Sequence, residues 1–188
     1  MKTSSFAGLA ALVLSAGAAF GQAAPTADSG SSKQVGDWTV NCTTAASPNP
    51  CEMAQGVADK ASGSRLLNLS LVYIPANDQT MMVVVVPLGV SIQGGLVLKS
   101  DNFTSPKLPY HHCDRNGCIA EIAIDRPHLQ QIGTSQNASI TMVADNGKNY
   151  ALKLSMKGFA DADNAMMDLA KQKAKNPPPA APSVIPAQ

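Results

Sequence analysis

Four cysteines in two tight pairs constrain this chain more than any other feature. Cys42 and Cys51 are separated by eight residues, and Cys113 and Cys118 by four. Four thiols allow three pairings, and spacing alone does not select among them. Local pairing is the favoured reading, because Asp114-Arg115-Asn116-Gly117 holds an Asn-Gly turn that can bring its flanks to disulfide distance. Close, even-numbered cysteines suit an oxidising compartment. By the chain-entropy model each closed loop contributes on the order of 2–3 kcal/mol, against a net domain stability of about 5–15 kcal/mol. The spacing is not Cys-x-x-Cys, so the sulfurs are expected to be cross-links and not a redox centre.

The N-terminus supplies the compartment. Lys2 gives a short positive region, an apolar run follows from Phe6 to Phe20, and Ala19-Phe20-Gly21 and Gly21-Gln22-Ala23 fit the small-x-small cleavage rule. A cleaved signal peptide is expected over residues 1–23. The apolar run is shorter than the roughly 20 residues of a bilayer span, and no cysteine stands at the cleavage region to take a lipid. The expected location is periplasmic or secreted, without stable membrane insertion after cleavage.

Charge narrows the partners. The chain carries 14 basic and 13 acidic residues, and loss of Lys2 with the leader leaves the remainder neutral. Nucleic-acid binding needs a surplus of cations that is missing here. Aromatics beyond the leader are limited to Trp38, Tyr73, Phe103, Tyr110, Tyr150 and Phe159, too few for a broad stacking platform.

Composition marks out the limits of one domain. Residues 24–33 are rich in Ala, Ser and Gly and read as a flexible linker. Residues 172–188, with Pro177, Pro178, Pro179, Pro182 and Pro186, read as a disordered proline-rich tail. Residues 34–171 form the expected domain.

Within it the dominant period is two. Trp38-Thr39-Val40-Asn41-Cys42, Leu67 to Leu71, Ile140 to Val143 and Tyr150 to Met156 all alternate. Asp145-Asn146-Gly147-Lys148 predicts a tight hairpin joining the last two. Further strands are expected at Cys51–Val57, Met81–Val86, Gly95–Lys99 and Cys118–Ile124. The uncharged stretch from Gln79 to Leu98 contains Pro87, Gly89, Gly94, Gly95 and four consecutive valines, which favours two buried strands joined by a turn over a membrane helix. Roughly seven to nine short strands point to an all-β fold of two packed antiparallel sheets.

Two helices interrupt the alternation. Asp125-Arg126-Pro127 starts a short helical segment that Gly133 ends, with Leu129 and Ile132 on one side. A longer helix is expected after Gly158, with Phe159, Ala162, Met166 and Leu169 on its inner face. Trp38 shares a strand face with Val40 and Cys42 and reads as a core residue.

The search for chemistry is thin. His111-His112-Cys113 invites a zinc or copper reading, with Met81 and Met82 as further soft ligands. Disulfide formation would consume the thiolate, and successive strand residues point to opposite faces, so His111 and His112 remain weak candidates and no metal or cofactor is expected. No nucleophile elbow, metalloprotease helix, Walker loop or dinucleotide fingerprint occurs. His128 is the best isolated acid–base candidate, but sequence shows no partner to orient it. No catalytic residue is assigned. The only glutamates are Glu52, beside Cys51, and Glu121, in an expected strand.

Gly36-Asp37-Trp38-Thr39-Val40-Asn41-Cys42, Cys51, Val86-Pro87-Leu88-Gly89-Val90, Tyr110 to Cys113, Gly117-Cys118 and Lys157-Gly158-Phe159 together resemble the invasion-associated locus B family, exported proteins of alphaproteobacteria. The match runs from about Gly36 to Leu169. The resemblance implies an immunoglobulin-like β-sandwich with a C-terminal helix, and no established catalytic residues. Met156 stands where the family commonly holds leucine, a volume-conserving exchange. The expected function is a disulfide-stapled, non-enzymatic binding or envelope-associated module with a protein partner in the envelope or on a host surface. The alternatives are a periplasmic small-ligand or copper-handling protein, or a cryptic periplasmic hydrolase. An exposed apolar patch without a deep pocket favours the first; a deep cleft around His128 and a carboxylate favours the hydrolase.

Overall fold

The computed structural model describes residues 30–177. The expected signal peptide, the first six residues of the expected linker and the tail from residue 178 lie outside the described residues. Ten strands and two helices follow in the order β1 (Ser31–Val35), β2 (Trp38–Cys42), β3 (Cys51–Ala58), β4 (Arg65–Ile74), β5 (Gln79–Val86), β6 (Leu96–Ser100), β7 (His112–Asp114), β8 (Gly117–Ile124), α1 (Arg126–Gly133), β9 (Ala138–Val143), β10 (Asn149–Leu154) and α2 (Phe159–Lys175).

Alternation dictates the layers. Along β5, Thr80, Met82, Val84 and Val86 are buried while Gln79, Met81, Val83 and Val85 are only half-buried. Each strand therefore offers one face to a core. Seven strands form an antiparallel sheet in the order β1-β2-β3-β4-β5-β8-β7, and three more form a second sheet, β10-β9-β6. β9 and β10 pair as the Asn-Gly hairpin predicts, with Tyr150 opposite Met142 and Leu154 opposite Ala138. The two sheets and both helices share one core, in which Leu69, Leu71, Met82, Leu98, Ile124 and Leu154 converge from both sheets.

The helices close that core. Asp125 caps α1 by accepting from the His128 backbone N–H at 3.0 Å, and Pro127 sits in the first turn, where a missing N–H costs nothing. Leu129 and Ile132 are buried as expected. α2 packs on β2, β3 and β4. Its buried residues are Phe159, Ala162, Asp163, Met166 and Ala170. Leu169 is half-buried at the margin, because the stripe turns by four residues after Met166 instead of three.

Trp38 is fully buried and meets Phe159 edge-to-face at 5.1 Å. Its indole N–H donates to the Ser155 carbonyl at 2.9 Å. Gln55 completes the clasp from β3: its amide donates to the Asp37 and Ser155 carbonyls, and its oxygen accepts from the Ser155 N–H at 2.8 Å. The beginning and end of the domain are thus bonded through buried polar groups that are fully partnered.

Several expectations need adjusting. Ser31 to Lys33, placed in the linker, belong to β1, because their backbone pairs with β2 from Cys42 to Val40. α2 continues four residues past Lys171 to Lys175, where Lys173 and Lys175 suit the negative end of the helix dipole before Pro177. Among the described residues the strand count is ten, since β1 and β7 are too short and polar to show a period. β5 and β6 occupy different sheets, joined by a crossing loop and not a hairpin. The resemblance implied an immunoglobulin-like sandwich; the described residues show two antiparallel sheets in which β1 to β5 lie side by side in chain order.

Candidate functional site

The cysteines pair locally. Cys42 and Cys51 stand directly opposite each other on β2 and β3, with Cα atoms 4.1 Å apart. Cys113 and Cys118 do the same across the β7–β8 hairpin at 4.0 Å. Thr43 donates to the Pro50 carbonyl one step beyond the first pair, which leaves Cys42 and Cys51 at the close-approaching, non-hydrogen-bonded register. The first bridge is buried at both ends; in the second Cys118 is buried and Cys113 exposed.

His111 and His112 do come together, with their Nδ1 atoms 3.0 Å apart at an exposed strand edge. The sulfurs that would complete a copper site do not join them. Cys113 is bridged, Met82 is core, and Met81 lies four residues along β5 from the Val85–Ile119–His112 row, about 13 Å away along the strand. Among the described residues no cluster of three or more His, Cys, Asp or Glu side chains is placed to hold a metal ion.

His128 has the partner that sequence could not supply. Its Nδ1 lies 2.6 Å from Asp125 Oδ1, and its ring leans on Phe103 at 4.8 Å. The pair opens onto a groove of about 720 Å³ lined also by Asp78, Met82, Ile122 and Arg126. Ser105, on the same wall, has its hydroxyl bonded to the Pro106 carbonyl and the Leu98 N–H. The groove is open along its length, and both Asp125 and His128 are largely solvated.

A charged cluster beside that groove, reaching its lining through Arg126 and Asp78, went unread in the sequence. Arg126 on α1 grips both carboxylate oxygens of buried Asp163 on α2, its Nη1 at 3.2 Å from Oδ1. That hydrogen bond raises the Arg126 pKa above its ordinary value. Tyr73 donates to Asp78 at 2.5 Å and carries Lys171 over its ring at 5.4 Å. Burial, then the Asp78 hydrogen bond and charge, push the Tyr73 phenol up to about 12, opposed by Arg126. Burial alone raises the pKa of Tyr110, whose hydroxyl has no partner within the described residues.

A further surface feature is the outward face of the seven-stranded sheet. Across β4, β5 and β8 its rows read Val72–Met81–Ala123, Ser70–Val83–Glu121 and Asn68–Val85–Ile119. Ala54 and Glu52 extend the face onto β3. Apart from buried Ser70 these side chains are half-buried or exposed, and the valines, Met81 and Ile119 lie outside the core cluster. Among the described residues no helix or second sheet covers this face. The sequence did carry a sign of it: Met81-Met82-Val83-Val84-Val85-Val86 is apolar on both faces, the pattern of a strand buried on both sides.

These features define a β-rich protein with two antiparallel sheets, two cross-strand disulfides and a partly apolar sheet face left uncovered among the described residues. Residues 38–167 match the model of the invasion associated locus B (IalB) proteins, and the chain belongs to that family. It is 29% identical over 159 residues to the invasion protein B homologs of Brucella abortus strain 2308 and of Brucella abortus biovar 1 strain 9-941, covering 84% of this chain and 91% of theirs. Its fold is similar to the crystal structure of invasion associated protein B from Bartonella henselae, with a TM-score of 0.66 at 19% identity over 75% of this chain and 97% of that one.

Proposed function

We propose that this chain is an exported, disulfide-stapled, non-enzymatic binding module that works in the periplasm, at the envelope surface or outside the cell. The observation that carries the reading is the contiguous apolar band of Val72, Met81, Val83, Val85 and Ile119 on the open sheet face. A stable sheet holds these side chains at fixed spacing, and an apolar patch retained on a rigid scaffold marks an interaction surface. The disulfides fit an oxidising compartment outside the cytoplasm. The names of the Brucella and Bartonella relatives extend the proposal to contact with a host cell.

Affinity capture from native envelope, with a Cys42→Ser/Cys51→Ser control, tests the proposal. Recovery of one stoichiometric protein, lost when Val83 and Val85 are changed to Ser, is the expected result. Recovery of only a metal or small molecule, or turnover of an ester or peptide that depends on His128, would replace it.

The Asp125–His128 pair favours a second reading, a periplasmic hydrolase. An imidazole held by a carboxylate at the edge of a groove is the arrangement of an oriented general base. This reading requires a nucleophile or water that His128 can reach.

A further inference from the structure

We infer that the open sheet face docks a cationic amphipathic protein segment, with an apolar side set on β5 and lysines or arginines flanking it. The inference rests on the binding reading above and names the chemistry of the partner. Its basis is the charge distribution on that face. Strand positions pointing outward carry three carboxylates, Glu52, Glu121 and Asp114, against a single cation, Arg65, which pairs with Ala58 past the β-bulge at the end of β3. Glu52 and Glu121 are the only glutamates in the chain, and both stand on this side of the sheet. Glu52 faces Val72, and Glu121 faces Val83 across the β5–β8 ladder. The apolar band is therefore bordered by negative charge on both sides.

Geometry suits a helix. Met81, Val83 and Val85 span about 13 Å along β5. Side chains at i, i+4 and i+7 of a helix span about 10 Å and lie on one face. Long basic side chains can rest their stems on apolar surface while their heads reach the carboxylates.

The same charges argue against other occupants. A second copy packed face to face would bring together three carboxylates from each copy with only Arg65 of each to offset them. An anionic lipid surface would be repelled. The chain's own flanks lack the matching charge, since no basic residue lies between Lys2 and Lys33 and none follows Lys175.

The test uses the oxidised full-length protein and two labelled 18-residue helical peptides of one pattern, Leu/Lys and Leu/Glu, titrated by fluorescence anisotropy at low and high salt. The Leu/Lys peptide is expected to bind at least about tenfold tighter, and the preference to shrink with salt. Glu52→Gln/Glu121→Gln should lose most of the preference, and Val83→Ser/Val85→Ser should weaken binding about tenfold. Leu88→Ser/Ile92→Ser, on the exposed β5–β6 loop, should leave it unchanged. Equal binding of both peptides overturns the inference, as does indifference to the glutamate changes. So does a concentration-dependent dimer abolished by the Val83/Val85 changes, or binding to anionic vesicles through this face. A photo-crosslinker at Val83 in native envelope separates the two failures: capture of a partner lacking a basic apolar segment sinks this inference alone, and no capture at all sinks the binding reading too.

Discussion

Gly36 and Gly158 meet backbone to backbone: a Cβ on either would lie 2.9 Å from the other's Cα. The β1–β2 turn and the start of α2 are in direct contact there, and Asp37 donates to the Lys157 carbonyl at 3.0 Å. Both glycines have left-handed backbones, at φ 60° and 83°. Gly36→Ala and Gly158→Ala should each cost about 1–2 kcal/mol from the backbone alone, with the clash of the new methyl against the opposing carbonyl in addition. Because the two share one contact, the double variant should lose less than the sum. Urea unfolding curves measure this, and strict additivity would show that the two positions do not communicate.

Trp38→Ala should lower stability by about 3–5 kcal/mol, as truncation of a large core side chain does. Trp38→Phe should cost less, because Gln55 still donates to the Ser155 carbonyl that loses the indole. Thermal melts of the two variants give the order. An unchanged midpoint for the alanine variant would mean that the residue is not core.

Breaking the Arg126–Asp163 pair from the arginine side leaves a buried carboxylate alone. Arg126→Ala should cost about 3 kcal/mol or more. Arg126→Met/Asp163→Leu should recover most of that loss, since removing both charges leaves no unpaired group. Chemical denaturation of both variants decides; a double variant as weak as the single one would place the cost in packing instead.

The two disulfides should yield to reductant in sequence. Cys113 is exposed, whereas Cys42 and Cys51 are both buried. Access governs thiol attack, so Cys113–Cys118 opens first. Alkylation during a reductant titration, followed by peptide mass mapping, should show Cys113 and Cys118 labelled before Cys42 and Cys51. The opposite order would contradict the burial.

Alkaline pH should loosen the Tyr73 corner. The folded pKa of about 12 lies above the ordinary phenol value of 10, so the fold favours the protonated form. The stabilisation is fully present below pH 10 and is lost as pH rises from there through about 12. Phenolate absorbance and melting midpoints across that window should differ between the parent and Tyr73→Phe, with the parent losing stability more steeply. Asp78→Asn should bring the Tyr73 titration down, because it removes a charge that opposes ionisation. Identical profiles for parent and Tyr73→Phe would disprove the assignment.

Local signals made much of the fold legible. Alternation places Trp38, Val40 and Cys42 on one face because neighbouring strand side chains point to opposite sides, and the Asn-Gly turns set the β7–β8 and β9–β10 hairpins. The short helix is announced by its cap and proline, and the long one by its apolar stripe. β1 was not legible: Ser31 to Val35 has no apolar period and is a strand only because β2 offers it a ladder. The same limit hid the Arg126–Asp163 pair, whose members are 37 residues apart and meet only when α1 packs on α2.

The candidate site divides along the same line. The order of residues alone determined the alternation of the strands, the Asn-Gly signals that favour local cysteine pairing and a β5 strand apolar on both sides, since each depends on neighbours a few positions apart. Only the tertiary structure decided which side of β5 remains open, that Glu52 and Glu121 flank it, and that Asp125 holds His128 over a groove. Those facts depend on strand order, sheet packing and helix placement, which follow from the summed burial of the whole core and not from any single segment.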